Sequence, residues 1–463
     1  MEFLGIPFSI RNVPVLDPDF IPINAFRQAF LKTAQKPLSI AIESINGQIA
    51  VSNTRIHGTP DKSPADLFFV ERMVKTLLWQ KGGYKIMICG DQRMYESIAQ
   101  AYRPGGTRDF DYHFMTRVYE RPLEVVYLDL EQKPEPRTLS RPIGRHLDGC
   151  RIGFDAGGSD RKVSAVIDGV PVFSEEVVWF PKEHADPDYH YNGIVSSFKA
   201  AAAHMPRVDA IGVSAAGIYI NNQTRIASLF IKVPDDLFEA KVKDIYIRAV
   251  REIGPDIPTE VCNDGDVSAL AGSMSLDTGC VLGLSMGTSE AGGYVDHKGN
   301  ITGWLNELAF VPVDINPEAM KDEWSGDIGC GVKYFSQDGV VKLANKAGID
   351  LSNGKSQAEK LSIVQEKLAE DDPRAKDVFT GIGCYLGHAL ACYHDLYEIR
   401  FALLLGRVMS GKGGDLILSE AKRVLAEEYP DVTLIPLLPD DKFRRIGQSV
   451  AAASLPEIKK RGP

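Results

Sequence analysis

The run RIGFDAGGSDRKVSAVID (Arg151–Asp168) decides the fold class. Its apolar residues recur with strand spacing on both sides of Gly157-Gly158, and Asp168-Gly169 turns the chain into a further strand, VPVFSEEVVWF (170–180). Working outward, the pattern predicts a helix over Ile194–Ala203, the strand VDAIGVSAAG (208–217) and a helix near Leu237–Ile253. A short strand, PTEVCN (258–263), then meets a small, apolar helix over Val267–Met274. A second strand pair lies in CVLGLSMGTSEAGGYVDHKGNI (280–301). Helical signals dominate from Gly339: Ser356 and Glu359 form a capping-box pattern, and Gly381–Ile399 is a long candidate. The strand FALLLGRV (401–408) follows, and a last helix is expected over Phe443–Leu455. Strands alternating with helices define an α/β protein.

Upstream, EQKPEPRTLSRP (131–142) is rich in Pro and charge and reads as a linker. Before it, SIAIESINGQIAVSNTRI (39–56) is a β-hairpin signal with Asn46-Gly47 at the turn. A helix over Ala65–Lys81, ended by Gly82-Gly83, and the strand YKIMIC (84–89) follow. Residues 40–51 share hairpin shape and apolar pattern with 152–163, with Glu43 where Asp155 stands. Two readings fit: a decayed internal copy, or two unrelated units of a common kind.

At 463 residues the chain is long enough for about three domains. Its 52 Lys+Arg against 62 Asp+Glu give a net charge of −10, which argues against nucleic-acid binding. No apolar run is long enough to span a membrane, and the N-terminal residues lack a signal-peptide pattern. The seven cysteines never form Cys-x-x-Cys, so a reducing, cytoplasmic setting is the expectation.

Four segments carry candidate chemistry. Gly157, Gly158 and Ser159 offer backbone N–H groups and a hydroxyl to phosphate oxygens, and Asp155 could hold a hydrated magnesium ion; a plain hairpin turn is the competing reading. Gly287, Thr288 and Ser289 repeat that composition about 130 residues later. In NDGD (263–266), Asp264 suits a general base that a helix N-terminus would keep ionised, with Asp266 the better helix cap. Gly411, Gly413 and Gly414, after a strand, would let a flat nucleotide lie against backbone.

In this order and spacing, the segments resemble the actin–hexokinase–Hsp70 ATPase superfamily, and within it the ROK-type sugar kinases. The likeness covers about residues 150–455 and adds IGVSAAGIYINNQTRI (211–226) and LIPLLPDDKFRRIGQSVAAAS (434–454) to the quoted segments. It implies a two-lobed, ribonuclease-H-like (actin/hexokinase-type) ATPase fold plus an N-terminal α/β domain. The expected division is 1–147 as the extension, 148–266 with 446–463 as lobe I, and 267–445 as lobe II. The resemblance further implies ATP-dependent phosphorylation of a sugar hydroxyl, with ATP and Mg²⁺ as cofactors. Asp264 would take the hydroxyl proton; Asp155 would organise Mg²⁺ through water. Gly157–Ser159 and Gly287–Ser289 would hold phosphates, and Gly411, Gly413 and Gly414 the adenosine. Asn263, Glu307 and Ser214 would contact the sugar.

The departures are specific. The family's glutamate precedes Gly-His, whose histidine binds zinc; here Ala309-Phe310 follow Glu307, and a single Cys330 stands for the cysteine cluster. A zinc site is therefore not expected. His184, His190 and His204 are read as surface residues, and Trp179, Trp304 and Trp324 as packing. The rival functions are a sugar or nucleotide sensor without turnover, and an ATPase lacking a sugar site. A small-molecule sugar, no nucleic acid and no membrane are the expected partners. The N-terminal unit is expected to pack on the kinase or to mediate a homodimer.

Overall fold

The structure is a computed structural model that describes residues 1–138 and 142–458. Part of the expected linker (139–141) and the last residues of the expected lobe I (459–463) lie outside the described residues. The fold is mixed α/β. It divides into two compact units: one holds the N-terminal segment with residues 284–292 and 304–438, the other the remainder of the described chain.

The N-terminal segment runs α1 (Ile23–Thr33), β1 (Lys36–Glu43), β2 (Ile49–Ile56), α2 (Ser63–Lys81), β3 (Lys85–Cys89), α3 (Gln92–Ala101), α4 (Asp109–Tyr119) and β4 (Glu124–Leu128). The Asn46-Gly47 signal is realised: both residues have positive φ (58° and 71°), as a two-residue hairpin turn requires. The sheet order is β2-β1-β3-β4.

In the second unit, β5 (Cys150–Ala156), β6 (Asp160–Ile167) and β7 (Val170–Val178) form an antiparallel meander. Then come α5 (Pro187–Ala202), β8 (Ala210–Ala215), α6 (Ile245–Arg251), β9 (Thr259–Asn263) and α7 (Asp264–Leu276). The five-stranded sheet has the order β9-β8-β5-β6-β7, with β9, β8 and β5 parallel. The resemblance between the two hairpin regions does not extend to topology. β3 runs antiparallel to β1, whereas β8 runs parallel to β5. The N-terminal sheet is therefore not a copy of this one.

The first unit resumes through β10 (Val281–Met286) and β11 (Glu290–Val295), within which the chain passes between the units. It continues with α8 (Gln337–Lys346), α9 (Gln357–Ala369), α10 (Pro373–Leu396), β12 (Phe401–Leu405), α11 (Gly411–Glu428) and β13 (Ile435–Leu437). Its second sheet has the order β11-β10-β12-β13. The Ser356–Glu359 capping box is present at the start of α9. The chain closes with α12 (Asp441–Ala453), in the second unit, laid directly on the central strands. A Cβ at Gly153 would sit 1.7 Å from the Ser449 carbonyl, and one at Gly212 1.8 Å from that of Ala452. Only glycine permits that approach. Among the described residues no helix is long and apolar enough to cross a membrane.

The N-terminal segment is built into the first unit through buried polar contacts. Asp327 receives Arg72 at 3.0 Å, Lys75 at 3.2 Å and Arg108 at 2.9 Å. Burial pushes the Asp327 carboxyl up, but the cations outweigh it and hold it below the usual range. Asp17 accepts from Lys342 at 2.6 Å and from the Tyr385 hydroxyl at 2.5 Å.

Candidate active site

Three neighbouring parallel strands end at one place in the second unit. The register pairs Asp155 on β5 with Ser214 on β8, Ser214 with Cys262 on β9, and Ala215 with Asn263. Asp264 is the next residue and opens α7. The carboxyl ends of parallel strands are where α/β sheets bind ligands.

Ser214 is fully buried and its hydroxyl donates to Asp155 Oδ1 at 2.8 Å. Gln448 of α12 donates to that hydroxyl at 3.2 Å and to the Asp264 carbonyl at 2.8 Å. The Ser214 hydroxyl, expected at the substrate, is thus already engaged inside the protein, where it holds Asp155. Asn263 is similarly committed. Its Oδ1 caps α7 by accepting from Gly265 N at 2.7 Å, and its Nδ2 donates to the Gly217 carbonyl at 2.8 Å. The cap is thus Asn263, not Asp266, whose Oδ1 accepts from Tyr294 N at 3.1 Å.

Burial pushes the Asp155 carboxyl up to about 7; the Ser214 hydrogen bond opposes the shift and Asp264 adds to it. Burial also raises Asp264, against the pull of the Gly265 amide and of Lys182. The Gly265 amide at the helix N-terminus favours the ionised form, as expected, but desolvation exceeds that pull and leaves the carboxyl above its ordinary value. A raised carboxyl suits proton acceptance better than an ordinary one.

Gly157, Gly158 and Ser159 join β5 to β6, with Gly158 and Ser159 exposed. Neither glycine has positive φ, so left-handed backbone is not what requires them. A Cβ at Gly157 would lie 2.8 Å from the Asp160 carbonyl. Trp179, buried as expected, fixes the loop: its Nε1 donates to Gly157 O at 2.8 Å and its N to Ser159 O at 3.1 Å. His190, expected at the surface, is fully buried, with Nε2 2.9 Å from the Pro181 carbonyl.

In the first unit, Gly287, Thr288 and Ser289 connect β10 to β11; Gly287 N donates to Ser289 O at 3.0 Å, and Gly287 O accepts from Gln337 N at 2.9 Å. Gly406, just after β12, abuts the Met286 backbone, which brings the two glycine-rich stretches side by side. Gly413 and Gly414 are buried against Phe379 and the Met409 carbonyl, so packing requires glycine there; Gly411 stands in open space with φ 59°.

Glu307 is placed by the N-terminal segment. The last carbonyls of α2 accept from the segment that carries it: Lys81 O from Leu305 N (3.3 Å), Gln80 O from Asn306 N (2.9 Å) and Trp79 O from Glu307 N (3.0 Å). Beside it, Glu290 is buried with no hydrogen-bond partner on either oxygen, and burial and Glu307 drive its carboxyl well up. The sequence reading passed over Glu290, although an acid inside a glycine-rich strand start is a visible signal.

No family model matches the sequence, and no curated protein matches it. Solved structures do. A ROK hexokinase from Thermus thermophilus aligns at 18% identity and TM-score 0.51, covering 66% of this chain and 96% of its own. A ROK family transcriptional regulator, a homologue of the E. coli MLC protein, aligns at 17% identity and TM-score 0.50, covering 67% and 79%. A ROK family glucokinase from Streptomyces griseus, solved with glucose and AMPPNP, aligns at 20% identity and TM-score 0.49, covering 66% and 98%. The fold is that of the ROK-type sugar kinases.

Within that ROK-type fold, Phe310 lies in an aromatic cluster. Its ring centroid is 4.2 Å from Trp79, 5.7 Å from Phe110 and 5.5 Å from Trp324. Trp79 Nε1 in turn donates to Asp111 at 2.5 Å. Burial pushes the Cys330 thiol up to about 12, so it stays protonated near neutral pH and is a poor metal ligand. Among the described residues, no three His, Cys, Asp or Glu side chains are placed to hold a metal ion.

Proposed function

We propose that the protein transfers the γ-phosphoryl group of ATP to a hydroxyl of a sugar or sugar derivative. The observation that carries this reading is the convergence of Asp155, Ser214 and Asp264 at the ends of three parallel strands, beside the open Gly157–Ser159 loop. In the reaction, the acceptor hydroxyl oxygen bonds to the γ-phosphorus and the bond from that phosphorus to its bridging oxygen breaks. The hydroxyl proton passes to Asp264, and ADP leaves.

Asp155 fits the magnesium ion that such a reaction implies. Magnesium is held by one or two carboxylates, waters and substrate phosphates rather than by a dedicated cage. A single, positioned carboxylate whose charged form is disfavoured by burial and by Asp264 is such a partner. Bound there, the ion would neutralise charge on the phosphates. The protein's own groups do the rest: Ser214 and Gln448 orient Asp155, the Gly157–Ser159 loop receives phosphate oxygens, and Asp264 takes the proton. Glu307, in the first unit, is the proposed acceptor for sugar hydroxyls. Gly287–Ser289 and Gly411 are the proposed further contacts to phosphate and adenosine.

The test is ADP release from MgATP across a panel of sugars. Sugar-dependent release supports the kinase reading. Sugar-independent release replaces it with an ATPase, and sugar-induced thermal stabilisation without release replaces it with a sensor.

A further inference from the structure

Lys182 is a cation beside the candidate site that no candidate role has absorbed. It follows Pro181 in a single 3₁₀ turn (Pro181–Glu183), exposed, and among the described residues it has no ion-pair or hydrogen-bond partner. Yet its position is specified. Trp179 anchors the preceding strand end to the backbone of Gly157 and Ser159, and buried His190 holds the carbonyl of Pro181. This delivers the ammonium group to the phosphate loop: Nζ lies 3.7 Å, and Cε 3.5 Å, from where a Cβ of Gly158 would be. Nothing else comes within 4 Å of that point. Lys182 also acts electrostatically on Asp264, favouring its charged form. A flexible ammonium over an open glycine loop, within electrostatic reach of a carboxylate, is arranged to meet an anion arriving from solvent.

We propose that Lys182 binds the γ-phosphate of the nucleotide over Gly158, close to Asp264, and so separates nucleoside triphosphate from diphosphate. The inference rests on the phosphoryl-transfer reading above. As the γ-phosphoryl group leaves ADP, the ammonium stays beside the transferring oxygens and offsets their charge. No proton or covalent bond to Lys182 is involved.

The full-length protein, wild type, Lys182→Ala and Lys182→Arg, is titrated calorimetrically with MgATP and with MgADP, without sugar. The expected result is that Lys182→Ala weakens MgATP binding by roughly tenfold to a hundredfold, the scale of a lost hydrogen bond to a charged group, and leaves MgADP binding unchanged. Lys182→Arg should keep most of the preference for ATP, because the charge remains. Since Lys182 is exposed and makes no hydrogen bond or ion pair among the described residues, its replacement should not lower the melting temperature, which separates a ligand role from a structural one. Equal losses for both nucleotides, or none for either, would overturn the proposal while leaving the kinase reading in place. Failure of the wild-type protein to bind either nucleotide would overturn both.

Discussion

The strand-end site and the seam around Glu307 are built in opposite ways. Asp155, Ser214 and Asp264 owe their places to backbone register: three strands pair in order, and each contributes the residue at its end. Glu307 is held by carbonyls of α2, more than 220 positions away in the chain, and α2 is itself clamped by Asp327, Asp111 and an aromatic cluster. The first arrangement follows from local pattern. The second exists only once distant segments meet. The lesson is that this chain keeps its strand-end cluster readable from local pattern while it holds Glu307, the proposed sugar contact, with a segment of its own.

The comparison can be broken most sharply by removing that segment. Deleting residues 1–138 exposes Phe310, leaves Asp327 without Arg72, Lys75 and Arg108, and strips Glu307 of its carbonyl anchor. The expected outcome is a protein that does not fold to a soluble form, read by expression and size-exclusion chromatography. A soluble, active remnant would show the seam to be dispensable. The next largest effect is expected for Asp327→Ala, which removes the carboxylate shared by three cations, two of them well buried, and leaves them, among the described residues, only Glu71 and Asp111. A loss of about 3–5 kcal/mol in denaturant unfolding is predicted, the usual cost of breaking a buried pair.

Smaller effects sharpen the other side of the comparison. Ser214→Ala removes the hydrogen bond that holds Asp155, and Gln448 loses a partner with it. A stability loss of about 1 kcal/mol is expected, with a larger fall in kcat than in sugar affinity. Glu290→Gln should be close to neutral at low pH. Above that, the sign is fixed by a folded-state carboxyl raised from its ordinary 4.5. The folded state then holds a proton that the unfolded state has lost, so wild-type stability falls as pH rises through and beyond the ordinary value. Glu290→Gln should flatten that fall; urea midpoints between acid and neutral pH measure it.

Much of the fold was legible. The hairpin at Asn46-Gly47, the helix ending at Gly82, the meander around Gly157 and the capping box at Ser356 are local signals, and local chemistry decided them. Glycines Gly153 and Gly212 carry less information alone, because their reason is a helix that arrives 240 or more residues later. The candidate site was legible to the level of which residues meet at the strand ends. Side-chain commitments were not: Ser214 and Asn263 look like free ligands in sequence, and only the structure shows the internal hydrogen bonds that each already makes. His190 failed for a related reason. A polar neighbourhood in sequence suggested solvent, but the Pro181 carbonyl and the rings of Trp179 and Phe230 enclose it.

The central claim is that Asp264 takes the proton of an acceptor hydroxyl. The direct measurement is single-turnover phosphoryl transfer from MgATP to the best sugar of the panel, in wild type and Asp264→Asn, with nucleotide affinity measured alongside. The account predicts a rate lowered by roughly 10²–10⁴, the usual contribution of a general base, with nucleotide binding nearly unchanged. Wild-type rates in Asp264→Asn would contradict it.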